Sequence, residues 1–72
     1  MRIEYDPKHD VLNIEFLSEE TIVESVELDG VILDYATDGR IVAIEILDAG
    51  KRTTQDPSDV LGITILKEKD VA

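Results

Sequence analysis

The sequence predicts a small, mainly β protein, an antiparallel β-meander of five to six strands with at most one short helical turn near the C-terminus. The 72 residues are enough for one domain only. Sixteen of them are Ile or Val, whose β-branched side chains favour strands. The apolar runs are separated by turn residues. We therefore expect one β domain over residues 1–66 and a frayed tail over residues 67–72.

The first three strands follow from apolar runs that end at turns. Residues 2–5 form a short strand before the turn that contains Pro7. Residues 11–17 alternate apolar and polar side chains, which predicts one buried and one solvated face. Residues 21–28 form the third strand, which ends at an Asp-Gly pair typical of a type I′ hairpin.

The fourth and fifth strands, residues 31–35 and 40–47, flank a second Asp-Gly turn. The fifth strand is apolar on both faces except at Glu45, which is typical of a central strand or one covered on both sides. Either the tail or a second subunit must then cover the sheet. For so short a chain we expect a homo-oligomer, with a dimer favoured.

After the fifth strand the β pattern stops. Residues 51–58 are polar and predict a loop. Residues 56–59 also fit the start of a helical turn, with Pro57 at its first position. The last apolar run, residues 60–66, contains Gly62 and β-branched residues, so we expect a short turn and then a sixth strand.

The charge limits the class of partner. The chain has 17 acidic and 7 basic residues, a net charge of −10, and residues 1–50 hold 13 of the acids but 3 of the bases. This balance excludes nucleic acid and anionic membranes as partners. No apolar segment reaches the roughly 18 residues of a membrane span, and the first residues lack the apolar core of a signal peptide, so we expect a cytoplasmic protein. Without cysteine, no disulfide or Cys-zinc site can form.

Two stretches of sequence carry a family resemblance. They are Ile3-Glu4-Tyr5-Asp6-Pro7 with Asp10-Val11-Leu12-Asn13-Ile14, and Val31-Ile32-Leu33-Asp34-Tyr35 with Asp38-Gly39-Arg40-Ile41-Val42-Ala43-Ile44-Glu45-Ile46-Leu47-Asp48-Ala49. Over residues 1–52 the chain resembles the bacterial and archaeal domain-of-unknown-function family 2283. It departs at Asn13, where the family usually has Tyr, and at Gly50, where it often has Ser.

The resemblance implies a small β domain with no assigned activity and no catalytic residues. Members of such families often sit beside genes for small basic proteins that resemble ribonuclease toxins. The resemblance therefore also implies an antitoxin-like role toward a small basic partner.

A twelve-residue stretch that begins at Asp34 repeats part of the calcium-loop spacing of EF-hands, with Asp38, Gly39 and Glu45 at matching positions. Ala36 supplies no ligand, and both flanks are strand-like rather than helical. A strand would also carry Glu45 about 20 Å from the Asp38 corner. We therefore expect a β-hairpin and assign no metal ligand, with a weak calcium site at Asp34 and Asp38 as the alternative.

Glu45 is the carboxylate with the most unusual setting, because both its neighbours in the chain are apolar. If it is buried it needs a cation, and Arg40, Lys51 and Arg52 are the candidates. Strand carboxylates at Glu15, Glu24 and Glu27 are able to cluster with it for acid–base work. The usual burial of Glu instead favours a partly exposed edge position or an ion pair at a subunit interface.

The remaining chemistry is sparse. The single histidine, His9, lies in a turn and is expected to be solvated, since one imidazole without a second ligand is a poor transition-metal site. The chain has neither a Gly-x-Ser-x-Gly elbow nor a Gly-rich phosphate loop. The sequence therefore predicts no catalytic residue, no metal and no cofactor.

Three hypotheses for the function remain. The first is a non-enzymatic interaction domain that self-associates and binds a small basic protein through its acidic surface. The second is a small enzyme or ligand-binding protein with Glu45 in a pocket at a subunit interface. The third is a structural subunit of a larger assembly. The interaction or structural candidates are Glu45, Asp34, Asp38, Asp48 and Arg40.

Overall fold

A computed structural model describes residues 1–53, 56 and 64–66, and these form one open antiparallel sheet of five strands followed by a short helix. The elements are β1 (Arg2–Asp6), β2 (Val11–Glu15), β3 (Glu24–Leu28), β4 (Val31–Tyr35), β5 (Ile41–Leu47) and α1 (Ala49–Arg52). The mainly β class with one short helical turn is confirmed. Within the described residues, no helix is long and apolar enough to cross a membrane.

The strands lie in the order β1-β2-β5-β4-β3. β3, β4 and β5 form a meander, and the β1–β2 hairpin adds to the free side of β5. The order thus differs from a simple meander, because the chain passes from β2 to the far edge before β3 begins. β5 takes the centre, as its apolar residues on both faces predict.

Both hairpins predicted from Asp-Gly pairs are present. Asp29 and Gly30 have φ of 52° and 78°, the left-handed pair that a type I′ turn requires. In the second hairpin the backbone N–H of Ala36 donates to the carbonyl of Arg40 at 2.9 Å. Gly39, with φ of 86°, takes the left-handed position there.

The segment after β5 differs from its prediction. The predicted loop at residues 51–58 overlaps α1, which begins at Ala49. Ala49 is fully buried, and its N–H donates to the carbonyl of Asp10 at 3.0 Å. This long-range contact holds the helical turn against the β1–β2 turn, and a reading of local sequence cannot detect it.

Several strand boundaries also differ. β2 ends at Glu15 and β3 begins at Glu24, so both strands are shorter than predicted. In the predicted sixth strand, Thr64–Leu66 belong to no strand, and Ile65 and Leu66 are exposed. The rest of that run, the turn expected after residue 56 and the tail at residues 67–72 lie outside the described residues.

The register divides the sheet into two chemically different faces, because residues paired across strands share a face. The apolar face consists of Ile3, Ile14, Ile44, Leu33 and Val26 in one row and Tyr5, Leu12, Ile46, Val31 and Leu28 in the next. The acidic face consists of Arg2, Glu15, Ala43, Asp34 and Ser25 in one row and Glu4, Asn13, Glu45, Ile32 and Glu27 in the next.

The core of the described residues is small. Its buried apolar side chains are Leu12, Ala36, Val42, Ala43 and Ala49. Three of these are alanines, so Leu12 and Val42 are the large ones. On the apolar face Val26 is 43% exposed and Leu28 77% exposed. Leu12, in the middle of the same face, is buried, so the apolar face is open to solvent chiefly along its β3 edge.

Candidate functional site

The acidic face contains a buried carboxylate at its centre. Asp34 on β4 is 3% exposed and is the buried charged residue among those described. It lies opposite Ser25 on β3, whose hydroxyl donates to Asp34 Oδ1 at 2.6 Å. A neutral donor of this kind satisfies part of the carboxylate's hydrogen-bonding capacity without neutralising its charge.

Glu45 lies next to Asp34 on the same face. Glu45 of β5 is paired with Ile32 of β4, and Asp34 is two residues further along β4. The two carboxyl groups are therefore diagonal neighbours on one face. The pKa of Glu45 is raised above its ordinary value, first by a hydrogen bond to Asp34, then by burial and by the Asp34 charge. The carboxyl group of Glu45 therefore holds its proton more tightly than an isolated glutamate does.

Two of the three cations that were candidates to pair with a buried Glu45, Arg40 and Arg52, contact other groups. Arg40 Nε contacts Asp38 Oδ2 at 2.6 Å, and its Nη2 contacts Glu20 at 2.8 Å. Arg52 donates to the backbone carbonyl of Asp29 and holds α1 against the β3–β4 hairpin. The charge of Lys51 acts on Asp10. The neighbour of Glu45 on this face is therefore the carboxyl group of Asp34, whereas the sequence predicted a cation there only if Glu45 is buried.

Asp38 and Asp48 have structural roles. The Arg40 N–H and guanidinium hold the pKa of Asp38 below its ordinary value. Asp34 thus accepts a hydrogen bond from Ser25, whereas Asp38 contacts Arg40. The described residues contain no group of three potential metal ligands. Asp48 is exposed, has φ of 53°, and its carbonyl accepts the Lys51 N–H at 3.0 Å at the start of α1.

The β1–β2 turn contains a second polar cluster. His9 is exposed, and its Nδ1 lies 2.7 Å from Asp6 Oδ2, which lowers the pKa of Asp6. Asp10 Oδ1 accepts the Tyr5 hydroxyl at 2.7 Å and the Gly50 N–H at 2.9 Å. These contacts tie β1, the turn and α1 together, which indicates a structural cluster.

Sequence reasoning missed Ser25 and Asp10. Ser25 was detectable, because a two-residue turn at Asp29 and Gly30 pairs residues at equal distances on either side. Counting outward from that turn places Ser25 opposite Asp34. The role of Asp10 had no local signal, since Gly50 is 40 residues away in the chain.

Comparison with known proteins agrees with the resemblance seen in the sequence. The family described as "Protein of unknown function (DUF2283)" matches residues 2–49, which comprise β1 to β5 and the start of α1. The chain belongs to this family. The matched region includes Asp34, Glu45 and Asp10, and excludes the region from Gly50 onward.

A curated relative from Methanosarcina mazei is named "Putative hypoxanthine phosphoribosyltransferase". It is 49% identical over 39 residues, which are 54% of this chain and 32% of the relative. The chain thus spans about a third of that protein's length, and the name describes that protein. No solved structure matches the chain.

Proposed function

We propose that this DUF2283 protein is a non-enzymatic interaction domain that self-associates through its apolar face. One observation carries the proposal: the described core has two large side chains, whereas the apolar face leaves Val26 and Leu28 in solvent. Burying each such side chain is worth about 1.5–3 kcal/mol. A second sheet packed on this face would supply a second layer.

The choice of a second copy as the occupant rests on charge and on the C-terminal segment. None of the ten residues that define the apolar face is charged, so two copies can meet there despite the net charge of −10 on each chain. The alternative occupant of the apolar face is the chain's own last apolar run, residues 60–66. At its described end, Ile65 is 78% and Leu66 90% exposed. In a symmetric dimer the apolar face of each subunit also covers the apolar face of the other, so one surface is enough for both.

Val26→Lys and Glu27→Lys test this proposal with the same new side chain on adjacent residues of β3. Val26 lies on the apolar face and Glu27 on the acidic face. Val26→Lys should weaken self-association by roughly 100-fold or more, because each dimer loses two buried valines and gains two charges. Glu27→Lys should leave self-association intact. Sedimentation velocity over a micromolar concentration series measures both, and circular dichroism checks that the variants fold.

Three results would count against the proposal. They are a monomeric wild-type protein throughout the micromolar range, equal effects of the two substitutions, or loss of association in Glu27→Lys alone. The last result would place the subunit contact on the acidic face.

For the acidic face we propose a small basic protein as partner, in an antitoxin-like role. This face carries Glu4, Glu15, Glu27, Asp34 and Glu45 against the single base Arg2. Arg2 Nε lies 2.6 Å from Glu4 and 3.8 Å from Glu15, so its charge offsets part of one edge. A surface of this sign speeds the encounter with a cationic partner and selects against acidic ones.

A poly-arginine peptide is a defined probe for this surface. At low salt it should shift the amide resonances of β2 and β3 residues on the acidic face, and added salt should reverse the shifts because exposed charges are screened. Glu27→Lys should weaken binding and Val26→Lys should not. Absence of shifts at low salt, or binding that is insensitive to Glu27→Lys, would contradict this part of the proposal.

The alternative function is a small enzyme or ligand-binding protein with Glu45 at a subunit-interface pocket. The observation that favours it is the raised pKa of Glu45, since such carboxyls serve as general acids. One groove lined by described residues holds Glu4 and His9, another holds Val26 and Tyr35, and neither includes Glu45. This alternative requires the second subunit to bind the acidic face. In that case Glu27→Lys should weaken self-association and Val26→Lys should not.

A further inference from the structure

We propose that Asp34 and Glu45 share one proton across β4 and β5, and that loss of this proton is a pH switch that loosens the edge strand β3. The proposal concerns the acidic face alone and does not depend on what covers the apolar face. It assigns to Ser25, Asp34 and Glu45 a regulatory role in addition to their place in the sheet.

The hydrogen-bond geometry indicates where the proton must lie. Asp34 accepts from the Ser25 hydroxyl at 2.6 Å, and its carboxylate has lone pairs left for a second donor. Glu45 is the neighbouring group on the same face, and it can donate only when it is protonated. When both are ionised, a carboxylate that is 3% exposed faces a second negative charge.

The surroundings of the pair offer no compensating cation among the described residues. The groups that share this face are Asn13 and Glu15 from β2, Ser25 and Glu27 from β3, and Arg2 and Glu4 from β1. Arg2 contacts Glu4 and Glu15 near the β1 edge of this face, and β2 lies between β1 and the strand of Glu45. The pKa of Glu45 is raised, as these surroundings require.

The edge strand is the element that responds. β3 pairs with β4 alone, and all five of its residues are exposed. The Ser25–Asp34 bond joins its side chains to the interior of the sheet. If repulsion from ionised Glu45 turns Asp34 away, this bond is lost. Edge strands with few buried contacts open at low free-energy cost, so a small electrostatic change suffices.

The sign of the pH dependence follows from linkage. A carboxyl whose folded-state pKa is raised binds its proton more tightly in the fold than in the unfolded chain. The stabilisation is fully present below the ordinary glutamate pKa of about 4.3, and it is lost as pH rises through the higher transition of Glu45. Protection of β3 should therefore decrease with rising pH over this window.

The experiment is a pH titration of side-chain carboxyl resonances by NMR, combined with amide exchange corrected for intrinsic rates. Glu45 should titrate at higher pH than the ordinary glutamate value of about 4.3. Above the Glu45 transition, the corrected exchange of β3 amides should rise roughly twofold to fivefold. Glu45→Gln keeps a neutral donor, so it should remove this pH dependence, whereas Glu27→Gln should keep it.

Asp34→Asn is the second variant, because it removes the charge that Glu45 meets. It should move the Glu45 transition down toward the ordinary glutamate value of about 4.3. The proposal is overturned if Glu45 titrates at the ordinary glutamate value, if the corrected exchange of β3 is independent of pH, or if its pH dependence survives in Glu45→Gln.

Discussion

Leu12→Ala should lower the free energy of unfolding by about 2–4 kcal/mol, a large share of the stability of so small a domain. Leu12 is 2% exposed and lies between Tyr5 on β1 and Ile46 on β5 in the register. Truncation removes apolar burial and leaves a cavity in a core with few large side chains. Urea denaturation followed by circular dichroism measures the loss.

Leu28→Ala is the matched control, because it makes the same substitution on the same face at a side chain that is 77% exposed. In the isolated subunit it should cost less than about 1 kcal/mol. Equal losses for the two variants would show that Leu12 is no more buried in solution than Leu28. Running both variants at two protein concentrations separates subunit packing from self-association, since an interfacial residue gives a concentration-dependent midpoint.

The sequence predicted those parts of the fold that local chemistry controls. The Asp-Gly pairs at residues 29–30 and 38–39 located both hairpins, because left-handed backbone needs such residues. The two-sided apolarity of β5 predicted its central place. The strand order was not predictable in the same way, since the position of the β1–β2 hairpin beside β5 depends on packing between distant segments.

The candidate site was predicted in part. Glu45 and Asp34 were both candidates, and a cation was predicted beside Glu45 only if it is buried. The carboxyl group of Asp34 is its neighbour on the acidic face. Arg40 contacts Asp38 and Glu20, and Arg52 contacts Asp29. Counting the register outward from residues 29–30 gives the Ser25–Asp34 pair, and the diagonal contact with Glu45 needs in addition the alignment of β4 with β5.

Asp10→Ala should lower the unfolding temperature by about 5–10 °C, because Asp10 links three elements. Its Oδ1 accepts the Tyr5 hydroxyl and the Gly50 N–H, and its carbonyl accepts the Ala49 N–H. Asp10 also has φ of 54°, which alanine tolerates less well than aspartate. Differential scanning calorimetry at neutral pH measures the shift.

Asp10→Asn and Asp10→Gly separate the two causes. Asparagine keeps a side-chain acceptor and tolerates the left-handed backbone, so it should recover most of the loss. Glycine relieves the backbone but makes neither side-chain bond, so it should fall between alanine and asparagine. If the Asp10→Gly and Asp10→Asn variants are equally stable, the side-chain hydrogen bonds of Asp10 contribute nothing to stability and the backbone alone maintains the cluster.

The same substitutions have a defined pH dependence. Bonds from Tyr5 and Gly50 and the charge of Lys51 hold the pKa of Asp10 below its ordinary value. A carboxylate of this kind stabilises the fold above the unfolded pKa of about 3.9, and the contribution is lost as pH falls through the lower folded value. The difference in unfolding free energy between wild type and Asp10→Asn should therefore shrink in acid.

Glu45 acts in the opposite sense to Asp10, because its raised pKa favours the fold at low pH. In the Asp10→Asn background, addition of Glu45→Gln should therefore remove a contribution to stability that is present in mild acid and is lost as pH rises.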